Sequence, residues 1–146
     1  MQTDVDILTL SRMLRIAGRE VHRKRDENAS TLGMTSIQAD ALTFIISNPG
    51  CRIADLCESM RTSHQAACGI VDRLREKGLI EVSVSREDAR VRTITITSDG
   101  YELYSKFMEM GRESNRELMS ELTDAELSEL YTILSKILGK DTRNRF

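Results

Sequence analysis

Cysteine, histidine and proline are scarce in this chain of 146 residues, and each scarcity removes a class of protein from consideration. The three cysteines (Cys51, Cys57 and Cys68) show no paired spacing, which excludes a disulfide framework and makes a reducing cytoplasm the expected setting. The two histidines, His22 and His64, are too widely separated, and too poorly matched with those thiols, to gather the roughly four convergent ligands of a zinc site. No metal and no cofactor is expected. No nucleophile–base pair and no phosphate-binding loop appears, and the adjacent acids Glu87 and Asp88 fall in a turn between strand-like runs, so catalysis has no support. No apolar run approaches the ~20 residues of a membrane helix, and Met1–Asp6 carries no basic-then-apolar secretion signal. A single proline and eight glycines leave room for long, rarely broken helices.

What is present is enough for one domain. Hydrophobic residues make up 40% of the chain, which can build a core, and charged residues 30%. The net charge of −2 does not by itself point to nucleic acid, but its distribution is uneven. Residues 61–92 hold seven Lys/Arg against five Asp/Glu, a local net of +2, whereas residues 93–146 hold seven against ten, a net of −3. The basic part of a mildly acidic chain is the part suited to phosphate attraction.

The stretch from Arg52 to Gly100 organises the rest. Ile53, Leu56 and Met60 recur at helical spacing, and Ala67, Ile70, Val71 and Leu74 do so again. Between them Arg61-Thr62-Ser63 is short enough to force two helices to cross rather than run antiparallel. Ser63 is a natural N-cap of the second helix, and Gly78 after Lys77 a natural stop. Ile80, Val82 and Val84 alternate with polar residues, as do Val91, Thr93, Ile94 and Ile96 less strictly, which reads as a hairpin. Helix, turn, helix, hairpin is the layout of a winged DNA-binding module.

Helices flank this head on both sides. From about Asp4 to about Asn28, apolar positions including Val5, Leu8, Ile16 and Val21 give a long amphipathic helix with no covering partner in so small a domain. Thr35 and Gln38 form a capping box for a second helix, apolar nearly all round and so expected to be buried, which ends at Asn48-Pro49-Gly50. After Gly100 the chain returns to helix with Tyr101, Tyr104, Phe107, Met108 and Met110, then runs polar before Leu118. Thr123 and Glu126 form another capping box, opening a last helix that carries Leu127, Leu130, Tyr131, Leu134, Ile137 and Leu138.

The spacing Asp88-x-Arg90-x5-Ile96-Thr97-x2-Gly100 is similar to the wing signature of the multiple-antibiotic-resistance regulator (MarR) family of bacterial transcription factors. Upstream, the run from Val71 through Asp72, Arg73 and Leu74 to Gly78, Leu79 and Ile80 resembles that family's passage from recognition helix to wing. The two blocks stand in register, and the flanking helix count matches along essentially the whole chain. The resemblance implies a mainly α fold with a small β-wing: a winged helix-turn-helix head over 34–100, with dimerisation helices over 1–33 and 101–146, in a single domain. It further implies a homodimer that binds a pseudopalindromic double-stranded operator, commonly as a repressor released by a small ligand or by oxidation.

Residue by residue, the N-terminal turns of a recognition helix enter the major groove, which nominates Ser63, His64, Gln65, Ala66, Cys68 and Gly69. Gln65 suits an adenine edge and Ala66 a thymine methyl. Thr62 and Ser63 suit phosphates at the helix N-terminus. Arg73 is either a phosphate contact or a partner of Asp72 or Glu76. By the same resemblance the wing arginines Arg86, Arg90 and Arg92 reach phosphate or minor groove, while Asp88, Thr97 and Gly100 hold the wing together. Two positions depart from the family: glycine at Gly69 and a small side chain at Ala89 stand where bulk or charge is common.

Two signals remain open. Cys68 lies near a helix N-terminus, so it is either a thiol that senses oxidants or electrophiles or a plain small residue; Cys57 reads as packing and Cys51 as either. Arg12, Arg15, Arg19 and His22 share one helix face and either receive a small anionic or aromatic effector or are simply solvated. Beyond DNA regulation, winged helices also serve as protein-interaction modules, and no membrane partner is expected.

Overall fold

Each helix starts where a side chain can satisfy its free backbone amides. The computed structural model describes residues 5–139, so the expected start at Asp4 lies outside the described residues, as do 1–4 and 140–146 of the terminal dimerisation segments. Asp6 accepts from the N–H groups of Leu8 (3.3 Å) and Thr9 (3.1 Å) and opens α1, Ile7–Thr31. This helix outlasts its apolar signal: its polar stretch is laced by Arg23 to Glu20 and Glu27 and by His22 to Asp26, pairs at helical spacing. Gly33, at φ +71°, turns the chain, and the Thr35–Gln38 capping box opens α2, Ser36–Ser47.

Asn48, Pro49 and Gly50 lead into the two-residue strand β1 (Cys51–Arg52), then α3 (Ile53–Met60) and α4 (His64–Glu76). The wing strands β2 (Ile80–Val84) and β3 (Arg92–Ile96) pair antiparallel, with Ile80 opposite Ile96 and Val84 opposite Arg92. β1 pairs with the other edge of β3, Cys51 opposite Ile94, giving the sheet order β1-β3-β2. Helix α5 spans Ser98–Leu118, straight through the polar run of the sequence, and α6 spans Asp124–Leu138 after the Thr123–Glu126 box. The architecture is the mainly helical winged fold that the motifs imply.

The chain divides into two compact units, one ending at Arg112 and the other beginning at Glu113. In the first, Leu42, Ile45, Leu56, Leu74 and Ile94 are fully enclosed and draw α2, α3, α4 and the sheet together. Each such side chain stabilises by about 1.5–3 kcal/mol through burial. Phe107 seals this core from α5, and the Arg25 guanidinium lies 5.3 Å over its ring while pairing with Asp40. The buried helix of the sequence reading is indeed α2, except that Ile37 at its start is 55% exposed. Cys51, left open above, is buried, and burial pushes its thiol pKa up. In the second unit, α6 has no buried residue. Among the described residues no helix is long and apolar enough to cross a membrane.

Candidate nucleic-acid interface

The reading element is built from the turn between α3 and α4. Arg61 takes a left-handed conformation (φ 50°), a strained choice for a non-glycine residue, and so turns the chain from α3 into α4 within three residues. The Thr62 N–H returns to the Cys57 carbonyl (3.2 Å), and the Cys57 thiol donates to the Thr62 carbonyl (2.9 Å). Cys57 is thus more than packing: it clasps the turn. At the α3 start, the Asp55 carboxylate accepts from the Arg52 guanidinium and backbone N–H (both 2.9 Å), and these bonds hold it below the usual carboxylate range. Ser63 then caps α4 by accepting from the Ala66 N–H at 3.1 Å, which leaves its own hydroxyl proton free to donate outward.

Helical geometry sorts the rest of α4 at 100° per residue. Ala67, Val71 and Leu74 face the core and are buried. Gln65, Gly69, Asp72 and Glu76 point the opposite way, Ala66 and Arg73 flank them on one side, and all six are exposed. His64 and Cys68 lie on the other flank; His64 is exposed, whereas Cys68 is half-buried beside the core-facing edge. Asp72 pairs with Arg75 (3.3 Å), not with Arg73. The outer face therefore carries its carboxylates in the C-terminal half and leaves the first two turns free of acid.

The wing turn is organised by Asp88. Its carboxylate accepts from the Arg90 backbone N–H (3.0 Å) and Nε (3.2 Å), while its carbonyl accepts from the Val91 N–H (2.9 Å). That leaves the outer edge of the Arg90 guanidinium directed to solvent, with 91% of the side chain exposed. Arg86 and Arg92 are exposed on the same hairpin. At the wing base the Thr97 hydroxyl donates to the Gly78 carbonyl (2.7 Å) and accepts from the Gly100 N–H (3.0 Å), so one side chain closes the end of α4 and starts α5. A Cβ at Gly100 would stand 2.0 Å from the Leu79 carbonyl oxygen, so the chain itself demands glycine there.

Sequence reasoning missed two features. The Lys77 ammonium donates to the Gly33 carbonyl and to Gln38 Oε1 (3.1 Å), tying the end of α4 to the α1–α2 junction. A residue 44 positions away leaves no local signal. The left-handed Arg61 was equally invisible, since nothing in its type marks it. Arg12, Arg15, Arg19 and His22 are all exposed on one face of α1, the helix before the α2–wing head. No group of three or more His, Cys, Asp or Glu residues that could hold a metal comes together among the described residues.

Comparison with known proteins places this geometry. A family model described as the MarR family matches residues 32–91, which covers α2 to the wing turn. The HTH-type transcriptional regulator BilQ of Clostridium symbiosum is 30% identical over 114 residues, covering 76% of this chain and 78% of the relative. Among solved structures, YusO of Bacillus subtilis is similar with a TM-score of 0.81 at 20% identity, over 94% of this chain and 98% of that one. A cysteine-to-serine mutant of E. coli MarR, complexed with operator DNA, has a TM-score of 0.72 at 25% identity, over 91% of this chain and 96% of that one. The chain belongs to the MarR family, a family of transcriptional regulators and not of enzymes.

Proposed function

We propose that this regulator binds a pseudopalindromic double-stranded DNA operator as a homodimer and represses transcription there until a small ligand releases it. The observations that carry the DNA reading are the acid-free, outward N-terminal end of α4, capped by Ser63, and the exposed arginines of the hairpin that follows the helix. In this reading Gln65, Ala66 and Gly69 face base edges, with Gln65 the bidentate candidate for adenine, while His64 and Cys68 stand at the flank of that face, Cys68 half-buried. Thr62, Ser63 and Arg73 hold phosphates, and Arg86, Arg90 and Arg92 hold the adjoining backbone or minor groove. The similar E. coli protein complexed with operator DNA supports the same use of the fold.

The dimer rests on uncovered apolar faces. In α1, Ile7, Leu10 and Leu14 are exposed on the face that lower down packs through Val21, Asn28 and Ala29. In the second unit α6 exposes Tyr131, Ile133, Ile137 and Leu138. A second copy is the economical cover for both, with residues 34–100 as the head and 1–33 and 101–146 as the dimerising segments of one functional domain. The basic face Arg12, Arg15, Arg19 and His22 suits a small anionic or aromatic effector, and the site of action is the cytoplasm.

Selection of duplexes from a random pool tests the reading. Enriched sequences should carry two inverted half-sites centred ~10 bp apart. Binding should weaken steeply with salt, and removal of one phosphate-binding arginine should lower the slope of log K against log salt by about 1. Single, unpaired sites would count against the dimer, and salt-insensitive binding against the phosphate contacts.

A further inference from the structure

The glycines of this chain fall into two groups. Gly33, Gly50, Gly78 and Gly139 have φ between 71° and 79°, where other residues are strained, and Gly100 is pressed against the Leu79 carbonyl. These five are required by the fold. Gly18, Gly69 and Gly111 are not: each lies inside a helix, and a Cβ built on each meets nothing within 4 Å. A helix-interior glycine is less stable than alanine, so each weakens its helix, and among the described residues nothing stands close enough to require it. Gly18 and Gly111 lie on α1 and α5, helices of the segments that the dimer proposal pairs with a second copy. Gly69 lies on α4, one turn beyond Gln65, in the middle of the outward face.

We infer that Gly69 is a specificity-determining position whose missing side chain lets the floor of the DNA major groove approach the α4 backbone, so that Gln65 reaches its base. The inference rests on the proposal that α4 reads DNA. With Ala66 beside it, Gly69 makes the outer face of α4 thinnest at its second turn, between the reach of Gln65 before it and Asp72 and Glu76 after it. A helix that seats at this notch brings its first two turns deep into the groove and keeps the two carboxylates at the rim, away from phosphates. A methyl group at position 69 would hold the helix out by its own thickness and lengthen the contact from Gln65, a bond whose worth falls steeply with distance. Non-specific binding, which depends on phosphate charge and not on groove depth, is indifferent to that displacement.

The test uses the full chain, the duplex that wild-type protein enriches from a random pool, and a scrambled duplex of equal length. Gly69→Ala should raise Tm by ~2–6 °C, because the helix gains and nothing clashes. The same variant should bind the enriched duplex about tenfold more weakly while its affinity for the scrambled duplex stays put, an opposition that no folding defect produces. Gly69→Leu should widen the loss. A Gly69→Ala protein that binds the enriched duplex as tightly as wild type overturns the inference. Gln65→Ala separates this from failure of the underlying reading: if it weakens specific binding and Gly69→Ala does not, α4 reads DNA without needing the notch. If neither variant moves specific binding, α4 is not the reading helix.

Discussion

Helices α2 and α6 start in the same way and end up in opposite surroundings. Both open with a threonine N-cap and a reciprocal capping box, Thr35 with Gln38 and Thr123 with Glu126, and both carry apolar residues on most of their turns. Yet α2 buries Gln38, Ala39, Ala41, Leu42 and Ile45, whereas no residue of α6 is buried and Tyr131 is 73% exposed. Local grammar decides that a helix forms and where it begins. It does not decide what covers the helix, and under the proposed dimer the exposed apolar residues of α6 meet a second copy.

The widest test of this contrast sets one residue from each helix side by side. Leu42 is fully enclosed, so Leu42→Ala should lower unfolding free energy by about 2–5 kcal/mol in denaturant titration. Ile137, 58% exposed, should tolerate Ile137→Asp with native helix content, while sedimentation shows self-association weakened by tenfold or more. An Ile137→Asp protein that associates as wild type does would remove the second copy as the cover of α6. Gly100→Ala probes the internally determined side at its tightest point. The added methyl must displace the Leu79 carbonyl and disturb the Thr97 link, so a loss of about 1–3 kcal/mol is expected, read as a lowered Tm. An unchanged Tm would mean that the wing base yields freely.

The same division explains what could be read from the chain. The caps at Thr35, Ser63 and Thr123, the stop at Gly78 and the three-residue turn at Arg61-Thr62-Ser63 are local signals, and the structure uses all of them. Helix α1 runs past the expected Asn28 to Thr31 because Arg23 and its acidic neighbours keep the polar end helical, pairings that apolar periodicity ignores. Helix α5 likewise ignores its polar stretch. Lys77 to Gly33, and Arg25 to Asp40 and Phe107, join segments far apart in sequence, where no periodicity reaches. The outward face of α4 is legible only as the complement of the buried one, so the candidate interface was visible in position while the half-burial of Cys68 was not.

The smallest expected effect distinguishes the two capping boxes themselves. Gln38 is neutral, and its box has no proton to gain in acid. Glu126 accepts from the Thr123 N–H (2.8 Å) and hydroxyl (2.9 Å), and those bonds, the backbone one foremost, hold its carboxyl below the ordinary 4.5. A carboxylate with a depressed folded-state pKa contributes stability that is complete above its unfolded value and fades as pH falls through its folded one. Acidification below about pH 5 should therefore loosen the first turn of α6 and leave that of α2 unchanged. A global melting curve cannot isolate this, because Asp6 and Asp55 are also held low and weaken α1 and α3 in the same acid range. Amide exchange at Thr123 and Glu126, compared with Thr35 and Gln38, can. Glu126→Gln should abolish the pH dependence while keeping the cap, since an amide oxygen accepts the same N–H at any pH. If exchange at Thr123 in that variant still speeds up in acid in excess of Thr35, the opening of α6 is driven by some other group, and the two boxes differ in more than their third residue.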